Sequence, residues 1–396
     1  MHTSKLPKGF LASGIHCGAK MKRKDLSLFY SEVPCAAAAL FTNNVVKAAP
    51  VVLGQEQIKK GGKVRAVLVN SGNANCMTGK QGLRDAGTMM AEMAKVLGVN
   101  KDEVFVSSTG IIGEFMSMKP ILKGMKTVAK NLSSDGMNDA ADGIMTTDKF
   151  RKISTRIFKV GGKKVKIMGV AKGAGMIKPE MATMLSYIMT DAAISKAALK
   201  KALAAANEVS YNAITVDGDM STNDTVLVMA NGVSDNKTIA LKGKDFDLFS
   251  ANLKDIMVEL AKMIVKDGEG AHKLLEVTVT GAKNKKDAKR VADSIGGSLL
   301  VKCAVLGGDP NWGRIASSAG AAGVKFDTEK IKIKLDGKTF FANGKSKAHV
   351  NRKRSSIFKG KEVTVEVDLA MGKSEAKVYS CDISKKYIAF NSYYTT

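Results

Sequence analysis

Runs of aliphatic and β-branched residues alternate along the chain with amphipathic stretches of helical period, which is the pattern of an α/β protein. Val64-Arg65-Ala66-Val67-Leu68-Val69 predicts a buried strand, and the cluster Asn70-Ser71-Gly72-Asn73-Ala74-Asn75 is expected to end it. Beyond it Leu83, Met90, Met93 and Leu97 recur at near-helical spacing, and Gly98 stands where that helix should stop. Further strands are expected at Val104–Val106, Val165–Val170, Met184–Met189, Val226–Ala230, Val277–Thr280 and Val363–Leu369. Helices are expected over 196–209, 247–265 and 286–294. In the second of these, Phe249, Leu253, Ile256, Leu260 and Ile264 form one apolar stripe, a packing face and not a ligand box. Met89, Met90 and Met93 are read as flexible core filler.

With 396 residues, 45% of them hydrophobic, the chain buries more than one compact domain usually holds. The lysine-rich stretch Lys283-Asn284-Lys285-Lys286 marks a lobe boundary, which gives a main domain over 1–282 and a smaller lobe over 283–396. The first eight residues lack the apolar core of a signal peptide, and no stretch approaches the roughly 18 apolar residues of a membrane span. A soluble cytoplasmic protein with no membrane partner is therefore expected.

A net charge of +25 invites a nucleic-acid reading. Against it, the lysines are spread from Lys5 to Lys386, only 6% of residues are aromatic, and no binding module is recognisable. A basic nucleic-acid-binding protein is thus the rival from another class, and no nucleic-acid partner is expected. Cys17, Cys35, Cys76, Cys303 and Cys381 are far apart with no CxxC pair, and the four histidines offer no HExxH. Free, mostly buried thiols and no metal are expected.

Three glycine-rich segments stand out, at Ser107–Gly113, Ala171–Met176 and Asp267–Ala271. None has the spacing of a Walker loop or a dinucleotide fingerprint, so nucleotide binding is not supported. Glycine does permit close backbone approach and freely aimed N–H groups, the raw material of an oxyanion hole.

The segment Gly175-Met176-Ile177-Lys178-Pro179-Glu180-Met181-Ala182-Thr183-Met184-Leu185 reads, by itself, as a proline-punctuated loop entering an apolar strand. It also resembles the processing site of the ornithine acetyltransferase (glutamate N-acetyltransferase) family, whose members self-cleave before the threonine of a Met-Ala-Thr-Met-Leu run, intact here at 181–185. The resemblance extends in order through Arg65–Cys76, Val106–Gly113, Gly143–Asp148, Asn212–Asp224, Asp267–His272 and Gly307–Arg314. Glu180 departs from it, where asparagine is expected after the proline.

The resemblance implies a layered α-β-β-α fold with a smaller α/β C-terminal lobe. It also implies cleavage between Ala182 and Thr183 into an α chain, 1–182, and a β chain, 183–396, commonly paired as α2β2. Thr183 would then carry acetyl from N-acetylornithine to glutamate, with Thr109 and Gly110 as the oxyanion hole. Substrate contacts fall on Lys172, for the carboxylate, on Glu269, for an amine, and on Thr146, Thr183, Asn391 and Thr396. Thr146 and Thr147 are not separated at this point. No cofactor is implied, and whether acetyl-CoA also serves as donor stays open. A self-processing aminopeptidase, which hydrolyses its acyl-enzyme with water, is the rival among enzymes.

Overall fold

The computed structural model describes residues 5–61, 63–178, 184–347 and 356–393. The chain opens with β1 (Phe10–Ile15), the long β2 (Leu26–Phe41), α1 (Ala49–Lys59), β3 (Val64–Asn73), α2 (Gly79–Leu97) and β4 (Val104–Ile111). There follow α3 (Met118–Lys130), α4 (Met137–Ile144), β5 (Lys152–Val160), β6 (Lys163–Lys172), β7 (Leu185–Thr190), α5 (Lys196–Glu208), β8 (Thr225–Ala230) and α6 (Lys244–Lys266). Hydrogen bonds run in the order β4-β3-β2-β8-β7-β6-β5, with β1 added on β2.

β2 carries the chain from one layer to the other: its first residues pair with β3, while Ala36–Phe41 pair with β8. The two halves of the sheet thereby face each other. Because side chains alternate along a strand, Val67 and Val69 of β3 point into the space between the halves. There they join Phe29, Tyr187, Met189, Leu227 and Met229. Ala66 and Leu68 point outward onto Met89 and Met93 of α2 and Ile121 and Met125 of α3. On the other side, Ile188, Val226 and Val228 meet Leu199 of α5 and the expected stripe of α6, all five of whose residues are buried. The layering is α-β-β-α. Burial on both faces explains why the inner strands read as near-continuous apolar runs.

A second core follows, built from β9 (Leu274–Ala282), α7 (Lys285–Gly297), α8 (Leu299–Gly307), α9 (Trp312–Gly320), β10 (Lys332–Leu335), β11 (Lys338–Ala342), β12 (Lys345–Ser346), β13 (Glu362–Asp368) and β14 (Ser374–Cys381). Its strand order is β12-β11-β10-β13-β9-β14. β9 lies inside this sheet, parallel to β13 and antiparallel to β14, so the chain enters the second core at Leu274, ahead of the break expected after 282. The last helix, α10 (Lys385–Tyr393), has no buried residue and returns to the main domain.

Two lobes are tied together by Lys302. It is fully buried on α8 and donates to the Val216 carbonyl at 3.0 Å, Ser380 Oγ at 2.6 Å and the Cys381 carbonyl at 3.0 Å. β3 does not stop at Asn70. It continues to Asn73 because Gly72, with φ +106°, lets it stay paired with β4 up to Gly110. Cys35, Cys76 and Cys381 are buried free thiols, whereas Cys303 is exposed. Among the described residues no helix is long and apolar enough to cross a membrane, and no cluster of His, Cys, Asp or Glu could hold a metal.

Candidate active site

The C-terminal ends of β3, β4 and β6 and the N-terminal ends of β7 and β8 meet at a cavity of about 420 Å³. β4 contributes Thr109 and Gly110. At Gly110 the backbone has φ +136°, and a Cβ there would lie 2.2 Å from the Gly72 carbonyl carbon. Only glycine fits so close a crossing of two strands. Asn223 pins the same corner, donating through Nδ2 to the carbonyls of Ala74 and Ser108, each at 2.7 Å.

Lys172, at the end of β6, is buried and donates from Nζ to Thr109 Oγ1 at 3.0 Å. With its oxygen engaged as acceptor, the Thr109 hydroxyl keeps its own proton to offer into the cavity. Burial pulls the Lys172 ammonium below the usual lysine range, and the Asp148 charge partly offsets this. Lys20 is pulled down to about 8 by burial and by the Lys172 charge, and its Nζ donates to the Met145 carbonyl at 2.6 Å.

Thr146 and Thr147 both line the cavity. Their turn is fixed by Asp148, whose Oδ2 accepts from Thr146 N at 3.0 Å and whose Oδ1 accepts from Gly173 N at 2.7 Å and Lys152 Nζ at 2.6 Å. Lys152 reaches Asp267 Oδ2 as well, at 2.5 Å, and all three side chains are fully buried. Burial alone raises the Asp148 carboxyl, but Lys152, Lys172 and the Gly173 N–H outweigh it and hold the group at about 2. Asp267 goes the other way: burial lifts it despite Lys152, because one ammonium is shared between two carboxylates.

Glu269 follows α6 and is buried to 8% exposure; its Oε2 accepts from Asn391 Nδ2 of α10 at 3.0 Å. Tyr387 of α10 lines the cavity too. Gly175 sits against Glu269, where a Cβ would lie 2.5 Å from the carboxylate carbon.

The loop between α5 and β8 supplies the remaining wall and grips both flanks of residues 179–183. On one side Asp217 accepts from Met176 N at 2.6 Å and Ile177 N at 2.8 Å, while the Ile177 carbonyl accepts from Val216 N at 2.9 Å. On the other, Asp224 Oδ1 accepts from Met184 N at 3.0 Å, and Thr225 N donates to the Met184 carbonyl at 3.1 Å. Burial raises Asp217 against the pull of its N–H donors and lifts Asp224 well above the carboxylate range.

The structure thus brings Thr109, Gly110, Thr146, Lys172, Glu269 and Asn391 to one cavity, from five separate stretches of chain. Ala182, Thr183 and Thr396, and with them Glu180, lie outside the described residues. Sequence reasoning missed the supporting groups Lys152, Asp217, Asn223 and Tyr387. The density of Asp, Asn, Ser and Thr between Asp217 and Asp224 was the available signal for two of them.

An α-β-β-α fold whose strand ends enclose a cavity of hydroxyls, a glycine crossing, a buried lysine and a carboxylate is that of an enzyme acting on small molecules. The sequence profile described as the ArgJ family matches residues 11–396. The arginine biosynthesis bifunctional protein ArgJ of Caldanaerobacter subterraneus subsp. tengcongensis is 46% identical over 99% of this chain and 98% of its own. That of Bacillus subtilis is 43% identical over 98% of this chain and 96% of its own. Among solved structures, the ornithine acetyltransferase of Mycobacterium tuberculosis complexed with ornithine is 32% identical. It covers 45% of this chain and 96% of its own, with a TM-score of 0.39. The chain belongs to the ArgJ family.

Proposed function

We propose that this protein transfers acetyl from N-acetylornithine to glutamate through a covalent acetyl ester on Thr183, in arginine biosynthesis. The observation that carries the reading is the convergence at one cavity of the Lys172–Thr109 pair, Glu269 and the loop that grips both flanks of residues 179–183. Relatives above 40% identity over nearly the whole chain favour acetyl transfer over aminopeptidase hydrolysis.

Activation begins with the Thr183 hydroxyl attacking the Ala182 carbonyl. The Oγ–C bond forms, the C–N bond breaks with the hydroxyl proton passing to nitrogen, and water hydrolyses the ester. The free α-amine, with a reference pKa of roughly 7.7–8.0, then serves the hydroxyl as base. The tetrahedral oxyanion of each transfer step is met by the Thr109 hydroxyl and the Gly110 N–H. Lys172 keeps donors beyond the one given to Thr109, and these suit the substrate carboxylate. Glu269, whose Oε2 is held by Asn391, suits an amine. Thr146, with Thr147 beside it, and Thr396 complete the proposed contacts. The same acetyl-threonine accepts acetyl from acetyl-CoA if the bifunctionality in the relatives' names extends to this chain.

The cleaved pieces stay together because they are interleaved: β7 and β8 from the second piece lie between β2 and β6 from the first. Main and smaller domains, and pairing to α2β2, follow the same family pattern.

Intact mass under denaturing conditions tests the reading. Wild type should give two fragments, the second beginning at Thr183, and Thr183→Ala one chain of 42.0 kDa without transfer activity. A wild type that stays whole after long incubation overturns it.

A further inference from the structure

The loop over residues 16–25, between β1 and β2, stands behind the cavity and not in its wall. Its anchor is Asp25, a fully buried carboxylate that accepts from Cys17 N at 2.6 Å, Gly18 N at 3.1 Å and Lys20 N at 2.8 Å. The Asp25 carbonyl accepts from Ser71 N at 2.9 Å, which docks the loop on β3. Lys20 is thereby laid against the Gly72–Gly110 crossing: a Cβ built on Gly72 would lie 3.1 Å from Lys20 Cγ. Its ammonium donates to the Lys24 carbonyl at 3.1 Å and to the Met145 carbonyl at 2.6 Å, next to Thr146 in the cavity wall. Two carbonyls require donors, not a charge. Lys172, on β6, is the nearest cation acting on Lys20, and its Nζ donates only to the neutral Thr109 hydroxyl. Neither ammonium has an ion pair among the described residues, because Asp25 is taken up by backbone N–H groups and Asp148 by Lys152. Two cations withdrawn from water side by side are unfavourable until an anion joins them.

We propose that Lys20 is a positioning residue for the substrate carboxylate: from behind the wall its charge adds to that of Lys172, and its bond to the Met145 carbonyl sets the turn that presents Thr146. The inference rests on the reading that Lys172 meets that carboxylate. Burial and the charges of Lys172 and Arg23 bring the Lys20 ammonium down to about 8, while Asp25 and Asp148 pull it back up. The charge is thus present at neutral pH and lost as pH rises through that value.

Acetyl transfer from N-acetylornithine is measured from about pH 6.5 to about pH 9.5. Over that range the substrate keeps its carboxylate, and its one free amine, titrating near 10.4 like a lysine, stays mostly charged. In the wild type KM should rise roughly 5–20-fold as pH passes about 8. Lys20→Met should show the raised KM at every pH, with kcat changed less than about twofold. Lys20→Arg, whose charge does not titrate here, should keep KM low to the end of the range. A purely structural role would raise KM in Lys20→Met without removing its pH dependence. If the wild type transfers no acetyl, the proposed function and this inference fall together. If it does, and KM in Lys20→Met equals that of the wild type or the alkaline rise persists in Lys20→Arg, only the role of Lys20 falls. Should neither variant fold, the wild-type profile decides: a KM that climbs through about pH 8 supports the role, and a flat one overturns it.

Discussion

Replacing Lys152 by methionine removes the cation shared by two fully buried carboxylates, Asp148 and Asp267. Deleting one partner of a buried pair costs roughly 3–5 kcal/mol, since the charge left behind keeps its desolvation penalty. The pH dependence makes the test specific. In the wild type Asp148 titrates at about 2 when folded, against 3.8 in its ordinary environment. It therefore contributes about 2 kcal/mol of stability above pH 4, which disappears as pH falls from 4 through 2. Asp267, raised when folded, works in the opposite sense and gives stability back as pH falls through its elevated value. In Lys152→Met both carboxyls lose their cation and both rise. The folded variant then takes up protons between neutrality and pH 4 that the unfolded chain does not, so its stability climbs on mild acidification. Urea midpoints at pH 7.5 and pH 5 should show a deficit that is large at the first and visibly smaller at the second. KM should rise too, because Asp148 also holds Thr146 N and Gly173 N at the cavity wall. A deficit below about 1 kcal/mol at pH 7.5, or one equal at both pH values, would refute the reasoning.

Three further substitutions probe the cavity. Thr109→Val keeps the shape and removes the hydroxyl that Lys172 polarises, so kcat for acetyl transfer should fall about 10²–10³-fold with a normal thermal melt. Gly110→Ala sets a methyl 2.2 Å from the Gly72 carbonyl carbon in a backbone region alanine avoids; thermal denaturation should show a loss of roughly 1–3 kcal/mol or more, with activity abolished. Asn223→Ala strips the carbonyls of Ala74 and Ser108 of a shared donor, so stability should drop by roughly 1–3 kcal/mol and kcat should fall more than KM changes.

Much of the layered domain was legible because its elements are buried in the way that leaves the clearest trace. The expected strands in β3, β4, β6, β7, β8, β9 and β13 and the helices α2, α5, α6 and α7 are all present, with shifted ends. β1, β5, β10 to β12 and β14 were missed. β5 is half-exposed along Thr155–Lys159, and lysines interrupt β10 and β11, so the apolar signal is diluted. β2 was missed too: its Ala36-Ala37-Ala38-Ala39 run has no strand propensity of its own and is held extended by pairing with β8, although Leu26-Ser27-Leu28-Phe29-Tyr30, which pairs with β3, did carry a strand signal. Only the tertiary pairing shows that β3 runs past its asparagines to Gly72 and Gly110, and that β9 belongs to the second core.

The candidate site divides along the same line. The sequence alone determined the local pieces, namely the Met-Ala-Thr-Met-Leu run, the glycine-rich turn at Thr109 and Gly110, and the isolated Lys172, Glu269 and Asn391, because motif and composition are properties of adjacent residues. It could not tell Lys172 from a surface lysine, and it passed over Lys152, one of the most deeply buried charges in the chain. Burial and ion pairing depend on what arrives from elsewhere. Asp148 and Asp267 are 119 positions apart in the chain and meet on one ammonium, and Asp217 and Asp224 grip opposite flanks of the same five residues. Those meetings are set by the folding of two sheets onto each other, and no local pattern encodes them.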